Sequence, residues 1–158
     1  MHAIGIKSKT VADILTRDPV SVTRDTSASE LAHVLDANEI SGVPVVDRDD
    51  RVIGVVSRTD LLHRCVECLF EPGLERLDDV LSDTSTAWDP SGLGTVEEFM
   101  SAEPIMARVD EPLEVVARRL VGRAVHRAVV VAEDGRVLGI VTTMDMLRAV
   151  AATSPNHS

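Results

Sequence analysis

Aromatic residues are scarce in this sequence. They make up 2% of its 158 residues, with one tryptophan, two phenylalanines and no tyrosine. The hydrophobic fraction is nevertheless 44%, so valine, leucine, isoleucine and alanine must fill the interior. A chain of this length and apolar content buries one compact core or two small fused ones.

Three further scarcities exclude whole classes of protein. Two cysteines are too few for a disulfide framework. No apolar run approaches a membrane span, and residues 1–7 lack the apolar core of a signal peptide. The 16 Lys and Arg are outnumbered by 26 Asp and Glu, and the net charge of −10 opposes binding to a phosphate backbone. We therefore expect a soluble, cytoplasmic protein that binds neither nucleic acid nor membranes.

What the sequence does contain is an internal repeat. Residues 10–62 overlay residues 95–147 at one constant offset, without a gap, and Asp60 then meets Asp145. Each copy is too short to hide its apolar faces alone, so the two copies should pack on each other with pseudo-twofold symmetry. Such packing leaves clefts between the copies, which are the expected sites of function.

The spacing of apolar residues changes in the same order within each copy. Val11 and Leu15 have the spacing of a short opening helix, and an alternating strand follows over residues 20–23. Ser27 precedes Glu30 at the spacing of a capping box, which predicts the start of a longer helix.

The remainder of each copy predicts a hairpin and a final helix. In the second copy Pro112 lies in the first turn of the longer helix. Two β-branched runs joined by a short polar turn, residues 43–46 and 52–56 in the first copy, predict the hairpin. The final helix begins near Arg58 or Thr143. Each copy is thus predicted as β-α-β-β-α, and the chain as an α/β protein.

The domain boundaries follow from the overlay. We expect a first repeat over residues 8–66, a linker with a short helix over 67–94, a second repeat over 95–152 and a flexible tail over 153–158. Trp88 is expected to anchor the linker to the core.

The repeated segments resemble the CBS domain, a β-α-β-β-α unit that occurs as a tandem pair called a Bateman module. The segments that carry the resemblance are residues 40–47 and 54–60 in the first copy, and residues 125–131 and 139–145 in the second. The resemblance covers most of the chain. It implies a stand-alone CBS pair that is not an enzyme.

The segment from Gly54 to Asp60 has a chemical logic of its own. A strand ends, Ser57 stands where a helix begins, and a carboxylate follows three residues later. Backbone N–H groups at a helix start favour a phosphate, and a carboxylate accepts hydrogen bonds from ribose hydroxyls. The alternative is a helix cap in which the aspartate interacts with the helix dipole.

The resemblance implies a role for each residue of the motif. Asp60 and Asp145 would bind ribose, and Ser57 and Thr142 would lie near phosphate, with Arg58 and Thr143 beside them. The adenine slots would be formed, in the first copy, by Thr16, Val20, Ile40, Gly42, Val43 and Pro44, and in the second by Ser101, Ile105, Val125 and Ala128. Ordinary core and turn positions are the alternative for these residues.

The two copies differ most at His126 and Arg127, where the first copy has Ser41 and Gly42. The resemblance implies that these two basic side chains approach phosphates, which suits the forked donors of a guanidinium. The alternative is that Arg127 pairs with a surface acid. The difference leaves open whether both sites bind the same ligand.

Cys65 and Cys68, with His63 nearby, invite a metal or redox interpretation. A zinc site needs about four ligands, and the sequence offers no second pair, so we expect two reduced cysteines and no metal site. The sequence shows no recognisable pairing of a catalytic nucleophile with a general base. We therefore expect no catalytic residues and no required cofactor.

The leading hypothesis is a regulatory module that binds an adenosine-containing ligand: AMP, ADP, ATP, S-adenosylmethionine or NAD. Magnesium could accompany a polyphosphate, and the regulated partner protein is unknown. We also expect a homodimer, because Val34, Leu35, Val116 and Leu120 add apolar surface to the helices. The alternative is a ligand-free dimerisation or interaction module.

Overall fold

The computed structural model describes residues 9–69 and 90–152. In chain order the elements are β1 (Thr16–Arg17), β2 (Val22–Thr23), α1 (Ala28–Ala37), β3 (Gly42–Val46), β4 (Val52–Ser57), α2 (Arg58–Leu69), α3 (Val96–Phe99), β5 (Met106–Ala107), α4 (Leu113–Arg123), β6 (Arg127–Val131), β7 (Val137–Thr142) and α5 (Thr143–Ala152). The predicted α/β class is confirmed. The predicted linker helix, the anchoring role of Trp88 and the tail lie outside the described residues.

Each copy contains the predicted hairpin, and the two hairpins match in register. β3 pairs antiparallel with β4, and β6 pairs antiparallel with β7. Both ladders shift register at the same place, before Val46 in the first copy and before Val131 in the second. In the first hairpin the Asp47 carboxylate accepts hydrogen bonds from the backbone N–H groups of Asp49 (2.9 Å) and Arg51 (3.0 Å), which closes the polar turn.

The helix starts follow the sequence signals with two corrections. Ser27 caps α1 as expected, since its Oγ accepts from the Glu30 N–H at 3.0 Å. Pro112 is the residue before α4 rather than part of its first turn, because its ψ of 138° is extended. The predicted opening helix is only a 3₁₀ turn over Val11–Asp13. It ends early because the chain enters β1 soon afterwards.

The opening segment of each copy pairs with the hairpin of the other copy. β1 pairs antiparallel with β7, with Thr16 opposite Ile140. At the equivalent place in the other half, Ser101 and Val55 exchange two backbone hydrogen bonds of 2.9 Å. One sheet therefore has the order β1-β7-β6-β5, and the other, β2-β3-β4, is bridged by Ser101.

The two hydrophobic cores are assembled in the same exchanged manner. Val11, from the first copy, is fully buried in a core with Leu113 and Leu120 of the second copy. Val96, from the second copy, is fully buried with Leu31 of the first. Neither sequence copy is therefore a packing unit by itself, and the two halves depend on each other for stability.

A pseudo-twofold axis relates the halves. It passes between the two hairpin turns, where the backbones of Arg51 and Arg136 form an isolated antiparallel β-bridge. On either side the Val52 N–H donates to the Gly135 carbonyl at 3.0 Å, and the Val137 N–H donates to the Asp50 carbonyl at 3.1 Å. Within the described part, no helix combines the length and apolar character that crossing a membrane requires.

The exchange of opening segments requires glycine on β7. A Cβ at Gly139 would lie 2.5 Å from the Thr16 carbonyl oxygen and would also meet the Leu15 side chain. We expect Gly139→Ala to lower the free energy of unfolding by about 1–3 kcal/mol through overpacking. The matched control is Gly122→Ala on α4, where a Cβ meets nothing and helix propensity should add about 0.5–1 kcal/mol. Denaturant titration that ranks the two variants equally would contradict this account.

Glu111 forms a pH-dependent contact with Arg119. The Arg119 guanidinium, which also donates to the Met106 carbonyl at 2.9 Å, holds the pKa of the Glu111 carboxyl below its ordinary value of 4.5. Because the folded-state pKa is lowered, this stabilisation is present above pH 4.5 and is lost as the pH falls through the folded-state value.

We expect Glu111→Gln to cost about 1 kcal/mol of unfolding free energy at pH 7, a figure discounted because the Arg119 side chain is 37% exposed. The cost should shrink as the pH falls through the folded-state pKa, below which the wild-type carboxyl is also neutral. The control is Glu133→Gln, since that carboxylate is 95% exposed and reaches Arg108 only at 3.8 Å. Denaturation curves at pH 7 and pH 3 test this, and an equal cost at both pH values would refute the ionic contribution.

Candidate functional site

Among the residues that the structure describes, two clefts of similar size lie at symmetry-equivalent places between the halves. The first cleft, about 540 Å³, lies at the start of α2, and the second, about 460 Å³, lies at the start of α5. Both copies contribute walls to each cleft. A molecule bound in either cleft would therefore touch both halves of the protein.

The candidate residues are distributed between the clefts in a crossed pattern. The first cleft is lined by motif residues of the first copy and slot residues of the second: Ser57, Arg58, Asp60, Ser101, Ile105, Val125, His126 and Arg127. The second cleft has the reverse combination: Thr16, Val20, Ile40, Gly42, Thr142 and Asp145, with Arg127 again. Each aspartate thus faces the apolar slot of the other copy.

Four candidate residues line neither cleft. The side chains of Val43 and Ala128 belong to the cores of the first and second halves. Pro44 is buried in β3, and Thr143 is half-buried at the start of α5. Any contact of the three buried residues with a cleft ligand would have to come from the backbone. Ile105 has both roles, since it is buried in a core and also borders the first cleft.

The motif aspartate of the first copy caps α2 with one of its two oxygens. Asp60 Oδ2 accepts from the Ser57 backbone N–H at 2.8 Å and from Ser57 Oγ at 3.0 Å. The Asp60 N–H donates in return to Ser57 Oγ at 3.2 Å. Within the described part of the chain, Oδ1 has no hydrogen-bond partner. The cap and the ligand interpretations are therefore compatible, because each needs a different oxygen.

The second copy forms a similar cap. Asp145 Oδ2 accepts from the Thr142 N–H at 2.8 Å, and the Asp145 N–H donates to Thr142 Oγ1 at 3.1 Å. Here Oδ1 also lies 3.5 Å from Arg148 Nη1 in an exposed ion pair. The sequence interpretation missed Arg148, although its spacing of one helical turn from Asp145 was a visible signal.

The backbone at the helix starts is less available to a phosphate than the sequence suggested. The Arg58 N–H donates to the Ser41 carbonyl at 2.8 Å, and the Thr143 N–H donates to the His126 carbonyl at 2.9 Å. The N–H groups of both aspartates are used in the caps. Side chains rather than these N–H groups must therefore provide most of the anion contacts in the clefts.

Arg127 lies between the two clefts and lines both. Its guanidinium donates to Ser41 Oγ at 2.8 Å and packs on Gly42, where a Cβ would lie 2.6 Å from it. Burial lowers the pKa of Arg127, and the nearby Asp60 charge opposes this effect. No ion pair joins it to an acid in the described residues, so the surface-pairing alternative for Arg127 is wrong.

The cysteines have a plain environment on α2. Burial and the neighbouring Cys68 raise the pKa of the Cys65 thiol, which opposes thiolate chemistry near neutral pH. Cys68 Sγ lies 3.9 Å from the Gly92 carbonyl oxygen. This environment offers no activation of the kind that metal binding or disulfide exchange requires.

Comparisons with known proteins agree with this architecture. The sequence model of the CBS domain family matches residues 11–67 and 96–152. The chain is 27% identical to homoserine O-acetyltransferase from Methanohalobium evestigatum, over 89% of this chain but only 24% of that enzyme's length.

Two solved structures are similar over nearly their whole length. The CBS domain pair of protein MJ0100, in complex with 5′-methylthioadenosine and S-adenosyl-L-methionine, is 25% identical, with a TM-score of 0.72 over 92% of this chain and 98% of that one. CBSX2 from Arabidopsis thaliana, in complex with AMP, is 28% identical, with a TM-score of 0.71 over 92% and 98%. The family match covers both halves that form the crossed clefts, and the chain belongs to the CBS domain family.

Proposed function

We propose that this protein is a regulatory module that binds an adenosine-containing ligand in the clefts between its two CBS domains. The observation that carries the proposal is that Asp60 lines the first cleft while its helix cap uses only one of its two carboxylate oxygens. Ribose hydroxyls are suitable donors for such an oxygen. The bound AMP, 5′-methylthioadenosine and S-adenosyl-L-methionine of the two similar structures support the same ligand class.

The crossed walls of the clefts suggest how binding would act. In the first cleft the ribose of the ligand would contact Asp60 of the first copy. The adenine would contact Ile105 and Val125 of the second copy. A ligand that holds both would favour arrangements in which the copies are close, by its differential affinity for them. A change in the relative position of the halves is then the signal for a partner protein.

The residues are compatible with AMP, ADP, ATP, NAD and S-adenosylmethionine. A polyphosphate would bring magnesium with it, since the described residues contain no group of three acidic, histidine or cysteine side chains that could hold a metal ion. The ligand-free alternative, an interaction module, makes the opposite prediction for every binding experiment below.

A homodimer is part of the proposal, on different residues from those the sequence suggested. Leu35, Val116 and Leu120 are buried within the protein's own cores, so they are not available to a second copy. Leu62 on α2 and its symmetry equivalent Leu147 on α5 are instead 57% and 61% exposed. Two large apolar side chains at equivalent places on outer helices favour a symmetric contact with a second copy.

The ligand proposal is tested by substituting the two motif aspartates separately. Asp60→Asn and Asp145→Asn retain an acceptor for the caps but remove the charge offered to ribose. We expect each variant to lose binding at one cleft by about ten- to hundred-fold. The measurement is calorimetry with AMP, adenosine and S-adenosylmethionine, preceded by a thermal-shift screen.

The matched control is Asp13→Asn, which alters the same kind of cap outside the clefts, where Asp13 Oδ2 accepts from the Thr10 N–H at 2.8 Å. It should bind like the wild type. Wild-type protein that shows no thermal shift with any adenosine compound at millimolar concentration would leave the interaction module as the better account. Binding that both cleft variants retain in full would put the ligand elsewhere.

The dimer is tested by the double substitution Leu62→Lys with Leu147→Lys. Four positive charges in one symmetric interface should convert the dimer to monomer at micromolar concentration, as measured by light scattering. Met106→Lys, at a 46% exposed strand position, is the control and should remain dimeric. A wild-type protein that has the mass of one chain would contradict the proposal directly.

A further inference from the structure

The pseudo-twofold axis allows the two clefts to be compared position by position. Apart from Arg127, which both clefts share, the basic residues of the first cleft have uncharged symmetry equivalents, of which Asn38 and Ser41 line the second cleft. The pairs are Arg58 with Thr143, Arg123 with Asn38, and His126 with Ser41. The shared fold therefore holds two different sets of charges.

The acidic side chains differ in the opposite direction. Glu39 lines the second cleft where the first has Ala124, and both residues have left-handed backbones with φ of 52° and 54°. The substitution therefore changes charge without changing the local chain path. Asp18 in the second cleft and Glu103 in the first are symmetry equivalents, so they add no difference in charge between the clefts. Arginines outnumber acids in the lining of the first cleft, and acids outnumber arginines in the lining of the second.

The shared Arg127 is open to an anion in either cleft, because it lines both. Asp60 is the acidic group whose field acts on it, although the two form no ion pair. The half-buried guanidinium has given up part of its hydration, and in the described residues it bonds only to the uncharged Ser41 hydroxyl. A desolvated cation without an anionic partner gains more from a phosphate than a solvated one does.

Arg148 has a different role in the second cleft. It lies 3.5 Å from Asp145, so its charge is already compensated by a carboxylate. It adds little attraction for a further anion. The second cleft therefore presents a compensated ion pair and the additional acid Glu39.

We propose that the two clefts bind different adenosine ligands: the first a phosphorylated one such as AMP, the second one whose 5′ substituent is neutral or positively charged, such as a thioether or a sulfonium. The inference rests on the proposed function and assigns a ligand class to each cleft. The phosphate of AMP meets Arg58, Arg123 and Arg127 in the first cleft. In the second cleft a positive or neutral 5′ group avoids repulsion by Glu39 and Asp18.

The experiment isolates each cleft with the aspartate variants. Asp145→Asn protein reports on the first cleft and Asp60→Asn protein on the second, with AMP, adenosine, 5′-methylthioadenosine and inorganic phosphate as separate titrants in calorimetry. We expect AMP to bind the first cleft about ten-fold more tightly than adenosine, and to have no such advantage in the second.

A second pair of variants exchanges the charges between the clefts. Arg123→Asn gives the first cleft the residue of the second, and Glu39→Ala gives the second cleft the residue of the first. In the Asp145→Asn background, Arg123→Asn should reduce the AMP preference several-fold. In the Asp60→Asn background, Glu39→Ala should raise AMP affinity relative to adenosine. Alanine is compatible with the left-handed backbone at position 39, since Ala124 adopts the same conformation.

The deciding quantity is the ratio of AMP affinity to adenosine affinity. A ratio at least three times larger for the first cleft than for the second supports the proposal. A smaller difference, or a reversed one, overturns it while leaving the proposed adenosine function intact. Inorganic phosphate that binds the first cleft as tightly as AMP also overturns it, because the site would then recognise no nucleoside. Protein that binds none of the nucleoside titrants defeats both proposals.

Discussion

The close approach of two backbone segments across the molecule is the constraint on which the rest of the structure depends. β1 of the first copy lies on β7 of the second, and Ser101 lies on β4 in the same way. Each contact requires glycine on the hairpin strand, at Gly139 and at Gly54. Because the opening segments are exchanged, Val11 and Val96 complete cores in the opposite halves. Folding, packing and cleft formation are therefore one event in this chain, since neither half can close its core without the other.

The clefts are a direct result of the same exchange. Each opening segment brings one slot residue, Thr16 or Ser101, to the hairpin of the other copy. The motif aspartate of that other copy lies beside it, at the start of a helix. The aspartate caps the helix with one oxygen, and its side chain also lines the cleft. A residue with both tasks connects stability to ligand affinity. Binding at such a site acts on the relative position of the halves rather than on one domain alone.

Local features of the sequence could predict much of the fold. The β-branched runs identify both hairpins, and Ser27 with Glu30 identifies the start of α1. Periodicity could not identify the partner of the opening segment, because the spacing around Val11 is the same whichever half buries it. The run in β3 is buried on both faces, so no alternation shows that Val43 and Pro44 point away from the cleft. The contact of Arg127 with Gly42 was likewise invisible in the sequence, because only the folded chain brings these two residues together.

The contact between Gly42 and Arg127 has a consequence for how a duplicated chain can diverge. The two residues are symmetry equivalents that meet across the axis, and the space there admits one large side chain. A side chain at position 42 would overlap the guanidinium unless the arginine moved aside. A large residue at one of these positions is therefore accommodated most easily when its symmetry equivalent is small. A symmetric fold thus contains a contact that favours unequal residues in the two halves, and the two clefts on either side of it become unequal as a result.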